Sequence, residues 1–345
     1  MILFNSPLHA THAPAFEFFR GERVACFETP ARADIVVAEL TRRGHALRVP
    51  DEDSGSLLAR VHAPRYLEFL ASAWARWQEI DAGNATRQPF PSVWPVRSLR
   101  SDIEPVNFIA QLGLYSMDNG TPISAGTWAA AKQASDAAFS AAMALSGGAG
   151  AAFCATRPPG HHAGRDFMGG YCFLNHAAVA AEALRAAGGE RVAILDLDYH
   201  HGNGTQSLFY DRDDVLFVSI HGDPRTEYPF YLGHADETGL GAGAGFNLNL
   251  PLPAGSAREA WFAALHQALR RIGQFRPAAL VVSLGLDTYG GDPISSFALR
   301  SDDYLRIGQD LRALGRPTLF VLEGGYAEAA LGINAANVAE GFENA

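Results

Sequence analysis

The chain has 345 residues, of which 48% are hydrophobic, and a formal net charge of -10. This size suits one large α/β domain or two smaller ones. The negative net charge and the presence of a single lysine, Lys132, argue against nucleic-acid binding. The single lysine also argues against Schiff-base chemistry. Three cysteines form no CxxC pair, and no stretch has the pattern of a signal peptide or membrane span. We therefore expect no disulfide framework, no membrane partner and a cytoplasmic location.

The first part of the chain predicts one outer helix followed later by an ordered insertion. Residues 31 to 43 carry apolar side chains at helical spacing and stop at Gly44, a typical C-terminal cap. Residues 81 to 124 are rich in Pro, Asn, Ser and Asp and have no sustained period, but their aromatic residues are too apolar for disorder. An irregular segment of this length is expected to bind something or to form an interface.

After the insertion, predicted helices and strands alternate to the end of the chain. The strands are AAFCATR, RVAILDLD, DVLFVSIHG, FNLNLPL, AALVVSLGLD and TLFVLEGG. The helices are GTWAAAKQASDAAFSAAMAL, CFLNHAAVAAEALRAAGG, SAREAWFAALHQALRRIGQ and DDYLRIGQDLRALG. Ser256 and Glu259 predict a capping box for the third of these helices. Continuous apolar strands between amphipathic helices indicate a single α/β domain, with a central, mainly parallel sheet flanked by helices on both faces.

Four of these strands end in polar residues of the kinds used in catalysis, and sites form at the carboxyl ends of parallel strands. Asp198 and His200 lie two residues apart and so face the same side, and Asp287 follows another strand. These side chains suit a borderline-soft cation such as Zn²⁺. Three protein ligands leave one coordination position of the metal open for water, which is typical of a catalytic site. Taken alone, Asp-x-His is more often a hydrogen-bonded core pair, but four polar strand ends together favour a metal site.

Two adjacent histidines, His161 and His162, follow RPPG and need separate partners because their side chains diverge. Asp196 and Asn203 are suitable partners, which would orient the imidazoles and tune their basicity. Tyr326 after EGG is either a packed ring at a strand end or, beside a metal, a donor to a developing oxyanion.

GLGAGAGF lacks the strand and helix of a phosphate loop and is interpreted as a connection. Four further histidines show no ligand spacing and are interpreted as structural or solvent-facing: His9, His12, His45 and His62.

Several segments resemble, in order and spacing, the arginase/deacetylase-fold zinc amidohydrolases: histone deacetylases and, more closely, bacterial acetylpolyamine amidohydrolases. They are RPPGHHA, GGYCFLNHAAVAA, DLDYHHGNGTQ, VSIHGDP, VSLGLDTYGGDP and LEGGY, and FETPARAD, VHAPRYLEFL and ISAGTW extend the resemblance to nearly the whole chain. It implies one deacetylase domain, residues 1–345, whose insertion at about 81–124 serves in dimerisation and shapes the substrate tunnel. It also implies hydrolysis of small N-acetylated amines such as N-acetylputrescine or N-acetylcadaverine to acetate and a free amine.

The resemblance implies a role for each residue at the strand ends. Water activated by Zn²⁺, or by Fe²⁺ in vivo, would attack the N-acetyl carbonyl. The metal ligands would be Asp198, His200 and Asp287. His162 would be the general base, with Asn203 behind it. His161 would be its electrostatic partner, with Asp196 behind it. Tyr326 would be the donor to the oxyanion. A structural K⁺ would be held, partly through backbone carbonyls, by Asp196, Asp198, His200, Ser219 and Ile220.

The resemblance further implies a homodimer and a substrate tunnel with Tyr171 and Tyr228 as aromatic walls. Gly120 and Ile294 stand where polyamine-specific relatives place an acidic residue. This departure leaves two other acidic residues as candidates to receive the substrate ammonium: Asp118 and Glu104. His176 stands where relatives often have Asn or Asp, and the sequence offers no reason for it.

Other functions of the same fold are less well supported. A ureohydrolase needs a second metal, usually with the pattern S-x-D-x-D, whereas this chain has Gly285 at the first of those aspartate positions. A catalytically silent acyl-lysine-binding module would have lost Tyr326 or a metal ligand, and none is lost. A broader acyl-lysine deacetylase of proteins or small amides remains the alternative, and the insertion distinguishes the two because a narrow tunnel would favour small amines.

Overall fold

The computed structural model describes residues 1–96 and 98–345. In that part of the chain the strands are β1 (Ile2–Phe4), β2 (Glu17–Phe19), β3 (Glu22–Val24), β4 (Ala46–Arg48), β5 (Ala151–Cys154), β6 (Val192–Asp196), β7 (Val215–Gly222), β8 (Asn247–Leu252), β9 (Ala279–Leu284) and β10 (Thr318–Leu322). The α-helices are α1 (Ala31–Arg42), α2 (Gly55–Val61), α3 (Pro64–Ile80), α4 (Phe108–Leu114), α5 (Thr127–Ser146), α6 (His176–Ala186), α7 (Asn203–Phe209), α8 (Arg258–Phe275), α9 (Ser301–Arg312) and α10 (Glu328–Asn344).

Eight strands form one sheet in the order β4-β1-β5-β10-β9-β6-β7-β8, and β2 and β3 form a separate antiparallel hairpin. Every neighbouring pair in the large sheet is parallel. The strands predicted from continuous apolar runs all belong to this sheet. Two short strands that the sequence analysis did not predict, β1 and β4, complete one edge. Parallel pairing places the carboxyl ends of all eight strands at one edge of the layer.

Both faces of the sheet are covered by helices, because alternate residues of each strand face opposite sides. On β9, Val281 packs with the core that includes α2, α3, α5 and α6. Its neighbours Leu280 and Val282 pack with the core that includes α1, α8, α9 and α10. The sequence prediction of a parallel sheet between two helical layers is confirmed. No helix in the described residues is long and apolar enough to cross a membrane.

The described part of the insertion, residues 81–96 and 98–124, contains structure that its composition did not reveal. A 3-10 turn covers residues 82–86, and α4 begins after Asn107, whose side-chain oxygen accepts hydrogen bonds from the backbone N–H groups of residues 109 and 110. Phe108 and Tyr115 are buried, and both rings contact Phe69 of α3. Phe90 packs on Phe18 of the β2–β3 hairpin, with 4.8 Å between the ring centroids. Aromatic contacts therefore fix the insertion against both α3 and this hairpin.

Two helix starts were wrongly predicted. Ser256 and Glu259 form no capping box, because the helix begins one residue later than predicted, after Ala257, and the Ser256 hydroxyl instead donates to the carbonyl of Pro253. The helix predicted from CFLNHAAVAA begins only at His176. Asn175 caps it by accepting a hydrogen bond from the N–H of Ala178, and the preceding residues remain a loop.

Candidate active site

The candidate site lies where four adjacent strands of the sheet end. β5, β10, β9 and β6 are consecutive in the sheet, and the loops after them carry the predicted residues. These loops meet because parallel neighbours end at the same edge. A cleft of about 670 Å³ opens there. Its lining includes most of the predicted catalytic and tunnel residues: His161, His162, Asp198, His200, Asn203, Tyr326, Tyr171, Tyr228, Asp118 and Ile294.

Asp198, His200 and Asp287 form a group whose ligand atoms all lie within 4.8 Å of one another. The Nδ1 atom of His200 is 3.2 Å from Oδ1 of Asp198 and 3.0 Å from Oδ2 of Asp287. A Cβ at Gly285 would lie 2.3 Å from Oδ2 of Asp198, and one at Gly324 would lie 2.6 Å from the same atom. Because both distances are too short for a real contact, the position of the Asp198 carboxylate requires glycine at both residues. The arrangement fits one cation, and a larger side chain at residue 285 would displace Asp198.

The electrostatics of this group favour a bound positive charge. Burial and the neighbouring Asp198 raise the pKa of Asp287 to about 7. Burial would lower the pKa of His200, but its contacts with both carboxylates raise that pKa to about 10. Two buried carboxylates this close repel each other unless a cation lies between them. One imidazole and two carboxylate ligands match the preferences of Zn²⁺ and of Fe²⁺.

The adjacent histidines differ because their partners differ. Nδ1 of His161 lies 3.0 Å from Asp196, and Nδ1 of His162 donates to the side-chain oxygen of Asn203 at 2.7 Å. Although burial opposes it, the charge of Asp196, with that of Asp198, raises the pKa of His161 to about 10. Burial, followed by the neighbouring imidazoles of His161 and His200, lowers the pKa of His162 well below its usual value. At neutral pH the pair therefore comprises an imidazolium and a neutral imidazole.

The loop that carries the two histidines is held by a carboxylate that the sequence analysis did not single out. Fully buried Glu323 accepts hydrogen bonds from the backbone N–H groups of Gly160 and His161 and from the hydroxyl of Ser283. Burial raises its pKa to about 7. The available signal was a charged residue directly after the apolar run of β10.

His176, which the sequence left unexplained, supports the same loop. Its Nε2 atom lies 3.0 Å from the carbonyl oxygen of Pro158, and Nδ1 lies 3.0 Å from the Ser135 hydroxyl. Burial lowers the pKa of His176 to about 4, so the ring is neutral and bridges α5 to the RPPG turn. Its role is to fix the backbone just before the two catalytic candidates.

Tyr326 lies beside the cleft on a loop fixed by Arg32 and Asp292. The Arg32 guanidinium packs 4.8 Å from the centre of the Tyr326 ring and donates to the carbonyls of Glu323 and Gly325. The backbone N–H of Tyr326 donates to Asp292 at 2.7 Å. Burial raises the pKa of Tyr326 well above its usual value, so the hydroxyl keeps its proton and can donate it in a hydrogen bond.

Two aromatic rings line the inner cleft beside different groups of the site. The ring of Tyr228 lies 5.1 Å from that of His162 and 6.0 Å from that of His200, whereas Tyr171 lies 5.8 Å from Tyr326. The Tyr171 hydroxyl donates at 2.8 Å to Glu17 of β2, a contact that the sequence analysis missed. Burial raises the pKa of Glu17 to about 7.

Asp118 lines the cleft, but other groups already use its carboxylate. Oδ2 accepts hydrogen bonds from the N–H of Gly170 at 2.8 Å and from the hydroxyl of Tyr228 at 2.5 Å. Oδ1 accepts from the N–H of Gly120 and from the hydroxyl of Thr121. Asp118 therefore ties three segments of the cleft together, and its role as a receptor for the substrate ammonium stays a prediction.

Glu104 is placed away from the cleft of its own chain. Its carboxylate accepts a hydrogen bond from Gln111 of α4 at 2.9 Å. It is absent from the residues that line the cleft in the described part of the chain. That Glu104 substitutes for the acid missing at Gly120 stays a prediction.

Two of the residues predicted to hold K⁺ are neighbours in the sheet, one at the end of β6 and one inside β7. Asp196 and Ser219 are register partners, and Oδ1 of Asp196 accepts a hydrogen bond from the N–H of Asp198. Ile220 follows within β7. The potassium site stays a prediction.

The features interpreted as non-catalytic are structural. The four other histidines are buried. His62 illustrates their role, since its ring lies 2.7 Å from the carbonyl of Gly164 and accepts from the N–H of Asn175. The glycine-rich run contains a short 3-10 turn at Gly241–Gly243 and leads into β8.

Comparison with known proteins gives the class of this protein. The family model described as the histone deacetylase domain matches residues 26–342. The chain therefore belongs to the histone deacetylase family.

Within that family the similar proteins include acetylpolyamine amidohydrolases. Acetylpolyamine amidohydrolase 1 of Pseudomonas aeruginosa is 51% identical in an alignment that covers 100% of this chain and 99% of the relative. The acetylpolyamine amidohydrolase of Mycoplana ramosa is 44% identical over 94% of each chain. The crystal structure of the acetylpolyamine aminohydrolase from Burkholderia pseudomallei has a TM-score of 0.94 and 41% identity, covering 99% of this chain and 98% of that one. The predicted family and fold are confirmed.

Proposed function

We propose that this chain is a metal-dependent amidohydrolase that removes acetyl groups from small N-acetylated amines, with acetylpolyamines such as N-acetylputrescine or N-acetylcadaverine as substrates. The observation that carries the proposal is the pair of adjacent histidines, one charged and one neutral, beside the Asp198, His200 and Asp287 group. The substrate class is supported by the names of the relatives from P. aeruginosa and M. ramosa.

Asp198, His200 and Asp287 would hold the catalytic metal. Zn²⁺ is the metal that this family generally uses, and Fe²⁺ is the alternative in vivo. A bound divalent cation would polarise the acetyl carbonyl and make the attacking water more acidic. A structural K⁺ is proposed beside the end of β6, where Asp196 pairs with Ser219 of β7.

His162 is the proposed general base. Because its Nδ1 donates to Asn203, Nε2 is the atom free to accept a proton from water and later to give it to the leaving amine. The lowered pKa keeps this nitrogen unprotonated at neutral pH. His161, held charged by Asp196, adds a fixed positive charge beside the reacting carbonyl.

Tyr326 is the proposed donor to the oxyanion, because its neutral phenol lies in the cleft on a loop fixed by Arg32 and Asp292. Tyr171 and Tyr228 would hold the methylene chain of the substrate between their rings and exclude water from the reacting amide. The products are acetate and a free amine.

We further propose that residues 1–345 act as one deacetylase domain that forms a homodimer through the insertion. Five apolar side chains of this segment are more than half exposed in the single chain: Val93, Val96, Leu99, Ile103 and Val106. Apolar side chains concentrated in one segment favour burial against a partner. Light scattering should give twice the chain mass of 36.9 kDa, and a monomer would contradict the dimer.

A cytoplasmic location is also proposed. It is supported by the three cysteines, Cys26, Cys154 and Cys172, none of which forms a disulfide.

The test is kcat/KM of zinc-loaded protein on N-acetylputrescine and N-acetylcadaverine beside an acetyl-lysine peptide. We expect the small amines to be preferred by at least about a hundredfold, and His162→Ala and Tyr326→Phe each to lose roughly a hundredfold or more. A preference for the peptide would support the broader acyl-lysine deacetylase instead. Activity unaffected by both substitutions would refute the assigned site.

A further inference from the structure

The neutral imidazole of His162 has two forms, and only one of them can act as a base towards the cleft. The form with its proton on Nδ1 leaves the lone pair of Nε2 free, whereas the other form carries the proton on Nε2. Nδ1 lies 2.7 Å from the side-chain oxygen of Asn203, which accepts the Nδ1 proton. The form that is present therefore depends on which end of the Asn203 amide faces the ring.

The amide of an asparagine can face a neighbour with either its oxygen or its N–H₂ group. With the oxygen towards His162, Nδ1 keeps its proton. With the N–H₂ group towards His162, Nδ1 has to accept, and the proton moves to Nε2. A neutral imidazole satisfies either arrangement, because one ring nitrogen donates and the other accepts. The contact at the other end of the Asn203 amide must therefore decide between them.

That other contact is the sulfur of Met117. The Nδ2 atom of Asn203 donates a hydrogen bond to Sδ of Met117 at 3.2 Å. Within residues 1–96 and 98–345, the Asn203 side chain makes this bond and the bond to His162. A thioether can accept a hydrogen bond but cannot donate one. The N–H₂ group is therefore favoured at Met117, and the oxygen is favoured at His162.

The position of the Met117 sulfur is fixed by its own backbone and by a glycine. The N–H of Met117 donates to the carbonyl of Met168 at 2.8 Å, and the N–H of Met168 donates to the carbonyl of Tyr115 at 2.8 Å. A Cβ at Gly169 would lie 2.2 Å from Cγ of Met117 and 2.9 Å from Sδ. Glycine at residue 169 therefore leaves the space that the Met117 side chain occupies against buried Asn203.

Met117 belongs to the insertion, yet its sulfur lies against the reaction centre. The next residue, Asp118, instead accepts from Gly170 and Tyr228 in the walls of the cleft. The insertion thus contacts the partner of the proposed general base through Met117. A change at Met117 should act on kcat, whereas a change at Asp118 should act on the walls.

We propose that Met117 is a positioning residue whose sulfur orients the Asn203 amide and so holds the proton of neutral His162 on Nδ1. The Nε2 atom is then free to take the proton of the attacking water. This assignment rests on the proposed amidohydrolase function. No bond to Met117 forms or breaks in the reaction, because the sulfur acts only through Asn203.

The first test measures kcat and KM of zinc-loaded protein on N-acetylputrescine. Met117→Leu keeps nearly the same volume but removes the acceptor, so both orientations of the amide become populated. We expect kcat to fall roughly three- to tenfold, the effect of one hydrogen bond, and KM to change less than about twofold. An unchanged kcat would overturn the assignment.

Met143→Leu is the matched control. Met143 is also half-buried, but it lies on α5 and is absent from the lining of the cleft in the described part of the chain. Its kcat and KM should equal those of wild type. A loss in this variant equal to that of Met117→Leu would show that any methionine replacement lowers activity, and would overturn the assignment.

A packing role for Met117 would also lower kcat, so the same substitution is made in Asn203→Asp. A carboxylate has two equivalent oxygens and no N–H₂ group, so the sulfur has no orientation left to select. Met117→Leu should therefore cause no further loss in this background. An equal loss in both backgrounds would overturn the assignment in favour of packing.

The ¹⁵N NMR signals of the His162 ring in the zinc-loaded proteins report on the same proton without requiring activity. Wild type should show a protonated Nδ1 and a bare Nε2, and Met117→Leu should show a mixture of the two neutral forms. The wild-type pattern in Met117→Leu would overturn the assignment while the proposed function stands. Conversely, a wild type that shows the expected signals but does not hydrolyse N-acetylputrescine would refute the proposed function and leave the orientation of Asn203 by Met117 in place.

Discussion

The centre and the rim of the cleft are built in different ways. At the centre, Asp198, His200 and Asp287 follow their own strands directly, and neighbouring strands bring them together. The rim comes from three distant segments: the β2–β3 hairpin, the insertion and the turn after β7. These segments are joined by side-chain hydrogen bonds such as those of Asp118 to Gly170 and Tyr228.

This difference implies a division of labour between reaction and selection. The sheet fixes the spacing of the central groups, so substitutions there should reduce kcat. The rim depends on a few polar contacts between loops, so substitutions there should change KM and substrate preference more than the chemical step. The following predictions test this division.

The largest effect is expected from Asp287→Asn. The asparagine keeps the shape but removes one of the two negative charges that hold a cation next to His200. We expect a loss of roughly a thousandfold in kcat/KM together with lower bound metal, measured by elemental analysis. Tyr228→Phe, on the turn after β7 that belongs to the rim, is the comparison, and its kcat/KM should fall by less than about tenfold. Similar losses for both variants would contradict the division.

Asn203→Asp should expose the difference between the two histidines. A carboxylate at Nδ1 of His162 would raise its pKa, as Asp196 does for His161. A protonated His162 cannot accept a proton, so the acid limb of the kcat/KM profile should move to higher pH and activity at pH 7 should fall at least roughly tenfold. An unshifted acid limb would show that His162 is not the base that controls it.

The centre could be predicted from sequence because its residues need only local rules. An apolar run identifies the strand, spacing by two places Asp198 and His200 on one side, and parallel pairing brings Asp287 to them. The supporting contacts follow no local rule. Arg32 reaches the carbonyl of Gly325 across 293 positions, and Glu323 reaches the N–H of Gly160 across 163.

The wrongly predicted capping box and the unforeseen contacts of Asp118 have the same physical origin. Ser256 and Glu259 match a local capping pattern, but the turn at Pro253 takes the serine hydroxyl. Asp118 matches the need for an acidic residue near the substrate, but its carboxylate also accepts from the N–H of Gly170 and the hydroxyl of Tyr228, whose loops approach it only in the fold. Composition can show that an acid is present but not which donors reach it.

His62 should make the stability of the fold depend on pH. Its ring contacts Gly164 and Asn175, the two sides of the loop that carries Tyr171. Burial lowers its pKa to about 4 in the folded chain, against about 6.5 when unfolded. The unfolded state therefore binds more protons between these values, and stability is full above pH 6.5 and falls as pH drops towards 4, by about 3 kcal/mol in total.

The measurement for His62 is urea unfolding at pH 7.5 and pH 5 for wild type and His62→Gln. Other buried histidines contribute to the slope, so the difference between the two proteins isolates His62. The variant should be less stable at pH 7.5 and should lose less stability between the two pH values. Equal slopes would show that burial of His62 does not oppose its protonation.

The smallest effect is expected at the contact that joins the rim. In Asp118→Asn, one side-chain oxygen becomes an N–H₂ group that must face either Gly170 and Tyr228 or Gly120 and Thr121, all of which are donors. We expect the Tyr228 wall to loosen and KM for N-acetylputrescine to rise roughly tenfold, with kcat changed less than about threefold. Tyr228→Phe removes only the hydroxyl and should raise KM less, because Asp118 still holds Gly170. A fall in kcat with unchanged KM would place Asp118 with the reacting groups and would end the distinction between centre and rim.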